Sequence, residues 1–449
     1  MSRHYDYTIA QDFDQAWLNF DLNLPLLVMP DGKSNPFYVD RPGNPIAPLE
    51  RGLLRPYYTP PKYFLSGHRG CGKSTELLRI AANPEILKRF YPIHFNIQDM
   101  ADINDLDFVD VLVNIAAQIY YQYRQPEAGR DLPKQVLKEL KDWKDRVDSR
   151  TRMVELGGGL ELGLELDTFF GKIGPSIKLE TVKRREFRDE IKKDISGLIN
   201  TINLMTATMQ VQIKRMPLVL IDDLDKPDLE VARRIFFDHR AQLLQPNCAV
   251  VYTVSSPLYF SVGFYDAIRE SAFFLPNVRL HPKGQPAEKN VEGYRILRMF
   301  VQKRMEPDLI TAEALERAIW LSGGLFRELC RVIRIGIDNA QAANRTQISL
   351  DDVRRTEVEL RNEFRRILNP DQRAILKQIR ADNDLAQPDQ LGPLFQSLAV
   401  LEYRNGDNWC DIHPALNALL DEDEIKGEGR RQKDEEGGAV HITSHEHTD

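Results

Sequence analysis

The sequence predicts an α/β fold: a parallel sheet with crossover helices, followed by an all-α stretch. Three observations predict it. Short strand-like runs alternate with amphipathic helices through the first two thirds of the chain. A glycine-rich turn joins the first of these strands directly to a helix. From about Val291 to Leu368 the pattern is helical, without strand signals. With 449 residues, 42% hydrophobic and 28% charged, the chain is globular and long enough for about three domains.

Residues 1–60, rich in proline and aromatics, read as an irregular arm. Lys62-Tyr-Phe-Leu-Ser66 is a strand, Ser74–Ala82 a helix, Tyr91–Ile97 a strand and Phe108–Tyr123 an apolar helix. Residues 125–215 break this rhythm. Lys134–Val147 reads as a charged helix, whereas Leu160, Leu162, Leu164 and Leu166 alternate with Glu161 and Glu165, which predicts a hairpin arm over Met153–Asp167. One long helical stripe follows, with Phe187, Ile191, Ile195, Leu198, Ile202, Met205, Met209 and Ile213 at spacings of three and four. It is expected to pack against Lys134–Val147; a projecting coiled-coil arm is the alternative.

The α/β rhythm resumes with the strand Leu218–Ile221, the helix Leu229–Leu244 and the strands Cys248–Val254 and Phe273–Leu280. The expected domains are therefore an arm (1–60), an α/β core (61–285) carrying the insertion 125–215, a helical domain (286–368), a small module (369–420) and a disordered acidic tail (421–449). No internal repeat is visible.

The chain holds 60 Lys and Arg against 67 Asp and Glu, a formal charge of −7. The tail alone has ten acids and four bases, so the rest is nearly neutral. The four cysteines stand singly, with no disulfide or zinc spacing. Met1–Phe20 is no signal peptide, and no run reaches the roughly 20 apolar residues of a membrane span. A cytoplasmic location is the expectation.

Gly67-His-Arg-Gly-Cys-Gly72-Lys73-Ser74 fits GxxxxGK[ST] between a strand and a helix. Gly67, Gly70 and Gly72 let the backbone, with His68, Arg69 and Cys71, wrap its amides around a β-phosphate. Lys73 then reaches the β- and γ-phosphates, and the Ser74 hydroxyl ligates Mg2+. Thr75 caps the first turn or touches the α-phosphate. Pro217-Leu-Val-Leu-Ile-Asp222-Asp223-Leu-Asp225-Lys226 supplies the second half, an apolar strand ending in acids. Asp222 is the expected Mg2+-associated carboxylate and Asp223 the general base that polarises water. Asp225 and Lys226 are either site residues or a solvated turn. ATP and Mg2+ are the expected ligands.

Together, Gly67–Ser74 and Leu218–Lys226 (Walker A and Walker B) resemble the P-loop ATPases of the AAA+/STAND assemblage, and most nearly the bacterial relatives of the origin-recognition initiators. The resemblance implies an AAA+-like core with a helical lid over 286–368. It implies a sensor-1 residue in Val250–Ser256, Ser255 by choice and Thr253 in reserve, and it likens Asn96 to the polar residue that restrains the catalytic acid. Ser322-Gly-Gly324-Leu-Phe-Arg327 resembles the GxxR sensor-2 motif, which gives Arg327 a role at the γ-phosphate. Arg269 is the first candidate for an arginine finger, with Arg233 and Arg234 also available.

Asp371–Arg380, Pro388–Leu398, Val400–Tyr403 and Asn408–His413 resemble a winged helix, with His413 as a packing residue. Yet Gln387–Leu398, the helix that would enter a groove, has no basic residue. The cluster Lys183, Arg184, Arg185, Arg188, Lys192 and Lys193 reads as a solvated face paired to Asp189, Glu190 and Asp194. The resulting expectation is an ATP-hydrolysing switch acting on a separate protein partner or effector chain, and the resemblance implies signalling or anti-phage defence. A homo-oligomer is left open. The alternatives are a DNA-binding initiator and a nucleotide-loaded scaffold that barely hydrolyses.

Overall fold

The structure, a computed structural model, describes residues 6–27, 29, 34–124, 132–151, 166–167, 169–170, 181–261, 263–384, 388–404 and 408–424. It forms two compact units, Pro25–Pro276 and Met1–Leu24 with Asn277–Asp449. Among the described residues no helix is long and apolar enough to cross a membrane.

The first unit is built on a five-stranded sheet: β1 (Lys62–Ser66), β2 (Phe90–Asn96), β3 (Met216–Asp222), β4 (Ala249–Thr253) and β5 (Ala272–Phe274). The order is β2-β3-β4-β1-β5 and every pairing is parallel. Residues of β3 and β4 are buried throughout, as expected of strands covered on both faces. This is the expected AAA+-like P-loop fold. Because β4 stands between β1 and β3, the loop after β1 and the turn after β3 meet across the end of β4. The strand expected over Phe273–Leu280 is only Ala272–Phe274 long. Pro276, which has no N–H for a ladder, follows closely.

Helix α1 (Phe108–Tyr123) starts from a capping box between Asp107 and Asp110 and is apolar almost all round. It packs against β2, α3 (Thr181–Lys193) and α4 (Ile195–Ile213), and α2 (Lys134–Thr151) packs in turn against α3 and α4, all within one core. The single long helix expected over Phe187–Ile213 is thus two. Asp194 leaves the helical conformation between them, and Gly197 makes room for its carboxylate, which would stand 2.6 Å from a Cβ there. The stripe packs inward rather than projecting. Most of the expected hairpin over Met153–Asp167 lies outside the described residues, but Leu166 and Asp167 are helical, not extended.

The basic cluster is also placed differently. Arg188, buried, reaches Asp110 (2.6 Å) and Asp105 (3.2 Å), Arg184 reaches Asp105 (3.1 Å) and Lys192 reaches Asp107 (2.8 Å). Lys193 pairs within its own helix, with Glu190. Asp105, Asp107 and Asp110 lie at the start of α1 and just before it, so Arg184, Arg188 and Lys192 clamp one helix to another, while Arg185 and Lys193 are exposed.

The second unit contains helices Val291–Gln302, Ala312–Leu321, Phe326–Ala342 and Leu350–Ile367, and a bridge joins Ile310 to Ile348. After them come the helices Pro370–Asp382 and Pro388–Gln396 and a hairpin of β6 (Val400–Arg404) and β7 (Asn408–Ile412). The stretch 1–60 is not one irregular arm: it contains the helices Phe13–Asn19 and Ala47–Leu54, and its first 24 residues belong to this second unit. Ala10 bridges Met305, Asn19 donates to the carbonyl of Arg304 (2.7 Å), and the Arg334 guanidinium lies 3.4 Å over the Trp17 ring. Nor does order end at 420. Residues 421–424 are helical, where Asp421 and Glu424 pair with Arg380 (2.6 Å each) and Asp423 with Arg373 (3.2 Å). The rest of the expected tail, 425–449, lies outside the described residues.

On β6, Glu402 is fully buried, and burial pushes its carboxyl up to about 8 against the opposing pull of Arg404. A raised acid pKa adds stability below the unfolded value and loses it as pH rises through the folded one. Denaturant unfolding at about pH 5 and about pH 9 is therefore expected to show Glu402→Gln less pH-dependent than wild type, and more stable at the higher pH by on the order of a few kcal/mol.

Candidate nucleotide-binding site

The loop between β1 and the helix Lys73–Ala82 depends on its first and last glycines. Gly67 has φ +150°, and a Cβ there would stand 2.7 Å from the carbonyl oxygen of Leu275. Gly72, at φ +103°, would place a Cβ 2.7 Å from the Arg41 guanidinium. Side chains are strained at such positive φ. Ser74 and Arg69 are exposed, Thr75 is half-buried, and His68, Cys71 and Lys73 are buried. Burial, and then Lys73, push the His68 imidazole down to about 3, so it is neutral.

The Lys73 ammonium turns inward, donating to the carbonyls of Gly67 (2.7 Å) and His68 (3.0 Å) and pairing with Asp225 (2.9 Å). Burial opposes its charge, but Asp225, with Cys71 and Asp222, outweighs burial and raises its pKa. Asp225 is therefore part of the site. Its solvated-turn alternative is set aside by this contact.

Asp222 ends β3 in register with Asn96 on β2. Burial pushes it up to about 6. The Ser74 hydroxyl opposes that shift, and the neighbouring Asp225 and Asp223 add to it. Asp223 has φ +67°, and its carboxylate pairs with Lys226 (2.9 Å), which also donates to Gln98 (2.6 Å). One oxygen each of Asp222, Asp223 and Asp225 lies within 4.8 Å of the others. Hard carboxylate and hydroxyl oxygens of this kind suit Mg2+, so the donor set fits the expected ion. Asn96 is half-buried, and its Oδ1 has no hydrogen-bond partner among the described residues.

Thr253, the reserve sensor-1 residue, fills the gap at the end of β4. Its hydroxyl accepts from the Leu224 N–H (3.0 Å) and donates to the Ile221 carbonyl (3.1 Å), tying the acidic turn to the sheet. Ser255, the first choice, instead caps the short helix Ser256–Tyr259 by accepting from Leu258 N–H. Arg269 is paired with Asp266 on its own turn, while Arg233 and Arg234 are exposed. In the second unit Arg327 stands at the start of Phe326–Ala342, half-buried, with no hydrogen bond or ion pair among the described residues. His413 is buried against Phe364, its pKa pushed down to about 3 by burial, and packs as expected.

Sequence reasoning missed Arg41. It donates to the carbonyls of Cys71 and Pro276, and its guanidinium lies 3.9 Å from buried Glu76. Glu76 also pairs with Arg79 (2.7 Å) and accepts from Tyr38, so residues before β1 brace the phosphate loop and its helix. Nothing local in the sequence around Arg41 signals this. Beside Thr75, a pocket of about 180 Å³ is lined by Tyr38, Asn35, Arg79 and Asn83.

No family model matches the chain, and no curated protein matches it. Solved structures to which it is similar include the following. The structure of Drosophila ORC bound to DNA is 12% identical over 93% of this chain and 95% of that one, with a TM-score of 0.38. Cdc6p of Pyrobaculum aerophilum is 12% identical over 88% and 98%, with a TM-score of 0.39. The ORC2 protein of Aeropyrum pernix, solved as ADPNP–ADP complexes, is 13% identical over 92% and 98%, with a TM-score of 0.37.

Thr253→Val keeps the shape of the side chain but leaves the Leu224 N–H without its acceptor. An unsatisfied buried donor costs about 1–3 kcal/mol, and urea unfolding is expected to show a loss of that size.

Proposed function

We propose that the chain is an ATP-binding and ATP-hydrolysing AAA+-like switch that works through nucleotide-dependent protein–protein contact. One observation carries the reading: the loop ending in Lys73 and Ser74 meets the acidic turn after β3, where the Lys73 ammonium pairs with Asp225 at 2.9 Å. In this reading the amides of Gly67–Thr75 cradle the phosphates, and the space beside Thr75 takes the rest of the nucleotide. Ser74 and Asp222 would hold Mg2+, which supplies positive charge to the phosphate oxygens when bound. Asp223 accepts a proton from water and orients it toward the γ-phosphorus. Lys73 stabilises the charge that develops there.

Arg327 is proposed as a second cation at the γ-phosphate, which fits its having no ion pair among the described residues. The helices 286–368 would then serve as a lid whose position reports nucleotide state, since a ligand shifts an equilibrium only through contacts that differ between states. Ser255 is kept as a sensor-1 candidate, although its hydroxyl already caps a helix. The module 369–420 is proposed as a winged helix used for protein contact. Its helix Pro388–Gln396 carries no Lys or Arg, which favours protein over DNA. A signalling role for the switch rests on the motif resemblance.

Asp223→Asn is expected to lower phosphate release by about 10²–10⁴-fold while ATP binding survives. Equal release by both proteins, with tight ATP retention, would leave only a nucleotide-loaded scaffold. Filter binding of duplex DNA across a salt series is expected to show absent or flat binding; a steep fall with salt would bring the initiator reading forward.

A further inference from the structure

An ammonium has three N–H donors, and those of Lys73 are all committed, to two loop carbonyls and to Asp225. Lys73 is 5% exposed and the Asp225 side chain 10%, so little water is at hand to replace a lost partner. If the nucleotide reading above is right, Lys73 must release one acceptor to donate to a phosphate. The two carbonyls are fixed by the backbone. Gly67 is wedged against Leu275, and the Cys71 N–H closes on the His68 carbonyl at 3.1 Å. Asp225 is a side chain with two rotatable bonds and a negative charge that would face the incoming phosphates. It is the partner that yields.

We propose that Asp225 is a latch on the phosphate loop: nucleotide enters by exchanging this carboxylate for a phosphate on Lys73. Once released, Asp225 remains beside Asp222 and Asp223, whose carboxylate oxygens already lie within 4.8 Å of its own. Lys226 is held by Asp223 and Gln98, so it does not take the place of Lys73. Like charges at such distances repel strongly where water is scarce. The freed carboxylate is tolerated when a divalent cation shares the acidic turn and disfavours the nucleotide when none does. Asp225 thereby makes nucleotide affinity depend on the cation. It acts through Lys73, as a positioning residue.

The test is calorimetric titration of the full chain with ADP and ATP, in excess Mg2+ and in excess chelator. Asp225→Asn is expected to bind nucleotide more tightly than wild type in chelator, by roughly tenfold, which shrinks the ratio of the two affinities. Asp225→Glu, which keeps the charge, is expected to retain the wild-type ratio. A residue that only holds the turn together would behave differently: its loss would weaken binding in both media alike. That result, an unchanged ratio in Asp225→Asn, or a Glu variant that behaves like Asn, overturns the latch. If circular dichroism shows Asp225→Asn unfolded, Asp225→Ser, also neutral and smaller, is read in its place by the same criteria. Wild type that binds neither nucleotide in either medium removes the nucleotide reading, and the latch with it. Wild type that binds, with variants that leave the ratio alone, removes the latch only.

Discussion

Burying the ammonium of Lys73 sets the terms for the sheet edge around it. Taking an ion of this size out of water costs several kcal/mol, and the cost is recovered only where its donors meet well-placed acceptors. Two of those acceptors are carbonyls of the loop itself, so the backbone must turn them inward, which calls for the positive φ of Gly67 and Gly72. The third, Asp225, comes from the turn after β3. The loop and the turn meet only because β4 lies between β1 and β3, and Thr253 at its end pins the turn through both a donor and an acceptor. The sheet order and the charge of one lysine are thus parts of a single constraint.

The same helix carries a second buried ionic group. Glu76 is 2% exposed and is met by Arg79, Tyr38 and, at longer range, Arg41. Burial, then the Glu76 charge, raise the Tyr38 hydroxyl, so it is a neutral donor at ordinary pH. Arg41 is shared between this group and the Cys71 carbonyl, so it links the acid inside the helix to the loop in front of it. A loop that must present amides at fixed positions benefits from being held on both sides, because positions that drift by an ångström lose most of an oriented interaction.

How much of this was legible follows from where the constraint lies along the chain. The phosphate loop and the strand ending in Asp222 could be read because the chemistry imposes residue types at fixed local spacing, and β3 and β4 because full burial leaves continuous apolar runs. Arg41 was illegible: its partners lie about 30 residues and more downstream, and an arginine among prolines looks like any surface loop. Asp225 read equally well as a solvated turn, since only the inward turn of Lys73 decides it. The stripe from Phe187 to Ile213 keeps its helical spacing across Asp194, so periodicity alone could not show the break. The bases around Arg188 were assigned to acids on their own helix because i, i+3 and i+4 neighbours are the only partners a sequence displays. Their actual partners, Asp105, Asp107 and Asp110, sit about 80 residues earlier at the start of another helix.

The acidic turn itself shows why adjacent acids can serve one site. In an extended strand, neighbouring side chains point to opposite faces, so Asp222 and Asp223 would diverge if β3 simply continued. Asp223 instead adopts φ +67°, a left-handed conformation that aspartate tolerates better than most residues. The Asp223 N–H donates to the Asp222 carboxylate (2.8 Å), and the turn closes as the Lys226 N–H reaches the Asp223 carbonyl (3.2 Å). That reversal brings the carboxylates of Asp222, Asp223 and Asp225 to one side of the chain, against the charge repulsion that would separate them. Lys73 and Lys226 each meet one of the three, and the Ser74 hydroxyl favours the charged form of the remaining one. The backbone strain at Asp223 and the two lysines are thus complementary: the first gathers the negative charge, and the second make the gathering tolerable. An apolar residue in place of either lysine would leave one half-buried carboxylate of the turn without its cation, which is the situation that folded proteins avoid by rearranging or by taking up a proton.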